Sequence, residues 1–433
     1  MQLILSKFSK LSKPVKFFAA GSLLILLILI SVFSVIYLIQ KKPVLAFYNV
    51  PQKVKNQVIS VSEKVTNKSF KILELDSSIP LSIQKKSLKK ADLVFVRSDS
   101  DTKEFFTSSK SKIFKPLEKN LLSGTASTIQ KTVPLSEKNK NQIFYLPFLY
   151  DMYLIDVNYE YFKKTSAPFL DTWDDLVSIA EKEADFVKTP VVFPVKDDEE
   201  FLNIFGQFIE AFFTFEEYES FQSSLYSAFK NDIKNAEFEK KSATLNTSFE
   251  QTTSLIEEFV DSPVFNKIAV TFAEMQNKGI LADDVTNFSK EDSLFFAENK
   301  LCGFYLTSLS NHRLIPRNSL NDYKSIYFPN TGKYQERKFC ADEYAVAKIK
   351  SNKSSKQIIE AISSTYQTVL STQTGLAPVQ KNCKTPDQQS DDVRYYLAAS
   401  AGPVLPLSCS VPSTQAKKLV SHLIKRNLFQ AKK

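Results

Sequence analysis

IFYLPFLYDMYLIDVNYEYFKKTSAPFLDTWDDLVSIAEKE, from Ile143 to Glu183, decides how the rest of the chain is arranged. Its first part, Leu146–Asn158, mixes apolar and aromatic residues with the lone acids Asp151 and Asp156. That pattern fits a buried crossing segment better than a surface helix, which would show one polar face. The segment is expected to run between two lobes. Behind it a helix opens at Thr172. The Thr172 hydroxyl can cap, Asp175 lies three residues on as in a capping box, and Asp174 and Asp175 suit the positive end of a helix. Leu176, Ile179 and Ala180 give that helix one apolar face, and the only tryptophan, Trp173, sits at its start, where packing is its expected role.

With 433 residues, 43% hydrophobic and 24% charged, the chain can bury large cores and is folded rather than disordered. The net charge of +9 does not belong to the body. Lys7, Lys10, Lys13, Lys16, Lys41 and Lys42 account for six of those charges, and residues 1–42 contain no acid. With no Arg-rich helix, zinc spacing or RNA-binding signature beside it, this excess excludes a nucleic-acid partner. Phe17–Ile39 is an uncharged run of 23 residues, long enough at about 1.5 Å per residue to cross a hydrocarbon core of about 30 Å. It ends in Val35-Ile36-Tyr37-Leu38-Ile39 rather than in small residues, so it reads as a retained signal-anchor and not as a cleaved signal. Four lysines before the span against two just after it place the N-terminus in the cytoplasm and export the body.

The body begins as strand, helix, strand, helix, strand. Val44–Tyr48, Phe70–Leu75 and Leu93–Val96 are the strands, and Val54, Val58, Val61 and Val65 mark one helix face. Such alternation implies a parallel sheet, whose ligands bind outside the carboxyl ends of its strands, here Tyr48-Asn49 and Ser98-Asp99. Ser98, Asp99 and Asp101 can equally cap the helix that follows. The acidic run Asp197-Asp198-Glu199-Glu200 cannot set acids on opposite sides of a substrate, and dipole stabilisation at a helix start is its expected role. Ser262 or Asp261 caps a later helix with Pro263 at its first position, Phe265, Ile268, Phe272 and Met275 on one face, and Gly279 at its end.

Chemistry-bearing motifs are few. Nucleophile-elbow, phosphate-loop and dinucleotide patterns are absent, no metal-ligand spacing exists, and His312 and His422 are too isolated for a relay. No enzyme activity and no cofactor are expected. Four cysteines allow three pairings; Cys302 with Cys340 and Cys383 with Cys409 is one hypothesis, four buried thiols the other.

Several stretches resemble one family. Tyr150-Asp151-Met152-Tyr153, then Val157–Lys164 (VNYEYFKK), then Thr172–Leu176 (TWDDL), are similar in order to bacterial extracellular solute-binding proteins of the sugar type (family 1), which serve ABC importers. Ala91–Ser100 (ADLVFVRSDS), Phe295–Leu306 (FFAENKLCGFYL), Tyr327-Phe328-Pro329 and Thr374–Val379 (TGLAPV) extend the resemblance over most of the chain beyond residue 43. One departure is that the family often has an aromatic shortly after the strand at 304–306, where this chain has Thr307-Ser308-Leu309. The resemblance implies an α/β two-lobe clamshell of the periplasmic-binding-protein type II, preceded here by a transmembrane helix. The expected division is a basic tail (1–16), a signal-anchor (17–39), an N-lobe (43–143 and 308–370) and a C-lobe (144–307 and 371–433).

Strand ends and resemblance together nominate Tyr48, Asn49, Ser98, Asp99, Asp151, Tyr153, Tyr305, Thr307 and Ser308 as cleft residues. Tyrosine faces would stack on sugar rings, and Asp and Asn would bond to hydroxyls. The implied partners are a small polar solute, a sugar first of all, and ABC permease subunits. The implied location is the cytoplasmic membrane, single-pass, with the body on the periplasmic side. A rival expectation is an envelope scaffold or sensor that binds protein and no longer carries solute. The missing aromatic, the permanent anchor and only 8 glycines support it, since few glycines leave few places for close backbone approach.

Overall fold

A computed structural model describes residues 42–107, 113–136, 139–167, 169–238, 248–331 and 336–430. The apolar run at 17–39 lies outside these residues, and among those described no helix is long and apolar enough to cross a membrane.

Eight strands organise the body: β1 (Val44–Tyr48), β2 (Lys71–Leu75), β3 (Leu93–Arg97), β4 (Tyr145–Asn158), β5 (Val191–Val192), β6 (Phe304–Ser308), β7 (Tyr323–Ile326) and β8 (Phe339–Lys348). Their order is β2-β1-β3-β8-β4-β6-β5, with β7 also pairing with β4. β1 is parallel to β2 and β3, as the alternating elements predict, because helices cross over between them. The first crossover helix, α1 (Gln52–Thr66), buries Val54, Val58 and Val61, while Val65 is half-buried at the rim of the same core.

β4 is the crossing segment. All fourteen of its residues are buried, which explains why its sequence reads as a continuous apolar run instead of alternating. From Tyr145 to Met152 it pairs antiparallel with β8, and from Tyr153 onward it pairs with β6 and β7. Its first half packs Tyr145, Leu146, Phe148 and Leu149 into one core with β1 and β3; its second half packs Tyr153, Ile155 and Val157 into another.

Helices of the second lobe include α3 (Trp173–Glu183), α4 (Asp198–Phe212), α5 (Phe215–Phe238), α6 (Pro263–Asn277) and α7 (Lys290–Glu298), numbered after α2 (Ser100–Thr107) of the first lobe; α3, α4 and α6 start where the sequence places them, and α3 to α6 pack into the second core. α3 has the reciprocal Thr172–Asp175 box, and Trp173 is buried edge-on against Phe208 and Phe212 of α4. α6 has Ser262 as its cap, buries Phe265, Ile268, Phe272 and Met275, and is followed by Gly279 at φ +68°. A four-residue helix, α8 (Leu309–His312), follows β6. α9 (Lys353–Ile362) covers the first core, and the terminal helix α10 (Thr414–Gln430) packs Ala416, Val420 and Ile424 into the second.

Three expectations change. The boundary at 307/308 falls too early, because β7 pairs with β4 and Phe328 packs in the second core, so the second lobe keeps the chain until β8 returns it near residue 340. At the far end, Leu376 belongs to the first core, and Ala377, Val379, Val393 and Leu397 form a small bridging cluster with Ala126, Ile129 and Tyr150. The proposed disulfides Cys302–Cys340 and Cys383–Cys409 are not formed: all four cysteines are buried and free. Each thiol has its own surroundings. Cys302 lies 3.7 Å from the Tyr323 hydroxyl, Cys340 packs in the second core, Cys383 meets the Ser364 carbonyl and Cys409 the Asp342 carboxylate.

Candidate functional site

Where β4 passes from one core to the other, both lobes face a cleft of about 250 Å³. Its walls are laid down by element ends. β3 ends on Arg97, β4 contributes Asp151 and Tyr153, β8 contributes Asp342 and Tyr344, and β6 ends on Ser308, with Ser310 beyond it on α8. From the C-lobe helices come Glu199 and Glu200 at the start of α4 and Lys290 at the start of α7; the start of α1 adds Lys53.

The charges are arranged in two groups. In the first, the Arg97 guanidinium bridges the lobes, donating to Glu199 at 2.5 Å and to Asp342 at 2.7 Å. Lys417 of α10 donates to the other oxygen of Glu199 at 2.9 Å. Held chiefly by Arg97, and then by Lys417, the Glu199 carboxyl is pulled down to about 2. In the second group the acids lack such partners. Asp151 sits directly opposite Asp342 in the antiparallel ladder, a pairing of like charges that costs stability. It accepts the Ser310 N–H at 2.9 Å, and burial first, with Asp342 next, pushes it up to about 6. Glu200 accepts from the Asn311 amide at 3.1 Å, while the Lys290 ammonium stands 3.9 Å off; burial pushes this acid up to about 7. Adjacent glutamates are thus driven in opposite directions by their partners. A second contact between lobes lies outside the cleft, where Glu104 of α2 accepts from Tyr226 at 2.9 Å and from Lys230 of α5.

The nine residues nominated by sequence separate clearly. Asp151, Tyr153 and Ser308 line the cleft. Tyr153 is committed below it, its hydroxyl accepting from Asn203 at 2.5 Å. Tyr48 is wholly buried in the first core, and Asn49 turns the chain away from β1 at φ 55°. Ser98 donates to Glu343 at 3.0 Å, and Asp99 accepts the Thr102 N–H at 2.7 Å as cap of α2, so the capping role holds for it. Tyr305 and Thr307 are fully buried in β6. Sequence reasoning missed Arg97, Glu199, Glu200, Lys290 and Asp342. One signal was present, since Asp342-Glu343 interrupts an otherwise apolar strand and buried acids need a reason.

His312 is not isolated after all. Its Nδ1 lies 2.7 Å from Asp156, which also accepts from Ser325 at 2.6 Å. The cluster is fully shielded from solvent at both partners and ties α8 to β4 and β7. Among the described residues none bonds to the other ring nitrogen, so the pair serves to anchor structure. Among the described residues no group of three or more His, Cys, Asp or Glu is placed to hold a metal ion.

No family model matches the sequence, and no curated protein matches it. Solved structures do match. The chain has the fold of the sugar-type solute-binding proteins of ABC transporters. The bacterial solute receptor AcbH, described as exclusive for β-D-galactopyranose, aligns at TM-score 0.59 and 12% identity over 89% of this chain and 98% of its own. A putative binding protein MsmE from Bacillus subtilis, in an open conformation, aligns at TM-score 0.60 and 12% identity, covering 90% and 96% of the two chains. A sugar transporter from Bacillus licheniformis, solved with stachyose, aligns at TM-score 0.56 and 14% identity, covering 90% and 98%.

Proposed function

We propose that this chain is a membrane-anchored, extracytoplasmic solute-binding protein that takes a carbohydrate or similar small polar solute into the interlobe cleft and delivers it to an ABC importer. The observation that carries the reading is the cleft itself, a concave polar site walled by both lobes at the strand that joins them. A solute bonded to both lobes favours the closed state, and permease subunits would read that state. The apolar run at 17–39 would serve as a tether on the periplasmic side of the cytoplasmic membrane and raise the effective concentration of the body near its partner. Receptors of solutes, not enzymes, are what the fold matches, and no catalytic role is assigned to any residue.

The test is a thermal-shift screen of the full-length chain in detergent micelles against mono- and oligosaccharides, polyols and amino acids. A ligand of the folded state raises apparent stability with its concentration. A saturable rise with one solute class, lost in Asp151→Ala, is expected; no shift across the panel overturns the reading.

One observation favours the scaffold or sensor reading. The Arg97, Glu199 and Asp342 groups that a solute could use are already bonded to one another. A gene neighbourhood without permease subunits, together with a null ligand screen, would decide for it.

A further inference from the structure

The cleft lacks one partner. We propose that its solute carries a primary ammonium group on a hydroxylated frame of single-sugar-ring size, with the ammonium held between Asp151 and Glu200. This rests on the solute-binding reading and names the class of solute.

Two carboxylates from different elements converge on consecutive residues. Asp151 of β4 takes the N–H of Ser310, and Glu200 of α4 takes the side-chain amide of Asn311. Both face the cleft. Neither has a cation within hydrogen-bond reach, because both terminal nitrogens of Arg97 are spent on Glu199 and Asp342, and the Lys290 ammonium pairs with Glu200 only at 3.9 Å. The second oxygen of Glu200 is buried with no hydrogen-bond partner, an expensive arrangement for a carboxylate. An ammonium brings three donors and a positive charge to that gap. The neighbours Glu199 and Glu200 supply an internal comparison. With Arg97 and Lys417 bonded to it Glu199 is pulled well down, whereas Glu200, without such bonds, is pushed up.

The rest of the lining specifies the frame. Ser308, Ser310 and Thr374 offer hydroxyls, so the remainder of the solute is hydroxylated. Tyr153 and Tyr344 are almost wholly buried and present no open ring face, which removes the stacking on which neutral sugars rely. A volume of about 250 Å³ admits one sugar ring rather than an oligosaccharide.

Isothermal titration of the full-length chain in detergent micelles would compare D-glucosamine and D-galactosamine with D-glucose, D-galactose and the two N-acetyl sugars. The amino sugars should bind about tenfold or more tightly than their neutral counterparts, the worth of a charge-assisted bond. Asp151→Asn and Glu200→Gln should each lose that advantage. Lys290→Met, which removes the ammonium 3.9 Å from Glu200 that competes for the same carboxylate, should tighten amino-sugar binding; this variant keeps the test decisive if the acid variants fold poorly. Equal binding of neutral and amino sugars would overturn the ammonium while leaving solute binding intact. Loss of amino-sugar binding in Lys290→Met would also overturn it, since the lysine would then be a contact rather than a competitor. Binding of none of the sugars would overturn both readings.

Discussion

Glu199→Gln tests whether the lobes are held together by charge. Arg97 belongs to the first lobe and Glu199 to the second, while Lys417 shares the second lobe with Glu199, so of the two bonds to Glu199 opening the cleft breaks the one from Arg97. Holding Glu199 at about 2 instead of 4.5 corresponds to about 3 kcal/mol in favour of its ionised form, at about 1.4 kcal/mol per pH unit. The Glu199 side chain is 36% exposed, so water screens much of this, and part of it comes from Lys417. About 1–1.5 kcal/mol remains for the contact across the cleft, roughly tenfold in the closed-to-open ratio. Dyes attached at Lys68→Cys on the first lobe and Lys188→Cys on the second, both exposed positions, would report lobe separation by energy transfer. Because the carboxyl is depressed in the closed state, its contribution is complete above pH 4.5 and fades as pH falls toward 2. Glu199→Gln should therefore show a larger open fraction at pH 7, and acid should no longer add to it through this group. Identical distributions for wild type and variant at pH 7 would refute the argument.

Three further outcomes follow from buried groups. Glu183, fully buried at the end of α3 with no hydrogen-bond partner on either oxygen, is pushed up to about 8 by burial alone. A raised acid favours folding below the unfolded value of 4.5 and loses that favour as pH rises through 8, so Glu183→Gln should gain about 3 kcal/mol at pH 7 and almost nothing at pH 4 in guanidinium unfolding; equal gains at both would sink the idea. Thr172→Ala removes the hydroxyl half of the α3 capping box, while Asp175 still accepts the backbone N–H of residue 172, and should cost about 1 kcal/mol by the same assay, whereas Trp173→Ala, which empties a site packed by Phe208 and Phe212, should cost about 3–5 kcal/mol. All four thiols should resist a thiol reagent in the native chain and react in denaturant without prior reduction; a native disulfide found by non-reduced peptide mapping would contradict the structure.

Much of the fold was readable because local and tertiary signals agree. The Thr172 box, the Ser262-Pro263 start and the valine stripe of α1 are satisfied within a turn or two of chain, and the structure keeps each of them. β4 was readable as a crossing because burial on both faces leaves no alternation. The charged half of the cleft was not. Asp197–Glu200 has the composition of a helix start, and a helix start it is; which of the four acids turns to the cleft depends on how α4 packs beneath β4, a relation between residues some fifty positions apart. Likewise Asp151 and Asp342 become neighbours only through the register of β4 against β8. Tyr305 and Thr307 were nominated on a resemblance at a strand end, yet they lie within β6, and the cleft begins only at its last residue, Ser308.

The same register decides what a closed cleft without solute costs. Asp151 facing Asp342 is unfavourable, and only Asp342 has Arg97 at hydrogen-bond distance. A neutral solute would leave that repulsion in place and would have to compete with the Arg97 bonds for any charged contact. A cation beside Asp151 would relieve it without disturbing Arg97, so that the latch and the solute would favour closure together. In that case Glu199→Gln should weaken solute binding by no more than its tenfold effect on closure, and Asp342→Asn, by removing the opposing charge, should lessen the advantage of a cationic solute over a neutral one. A larger loss in Glu199→Gln would mean that Glu199 touches the solute itself.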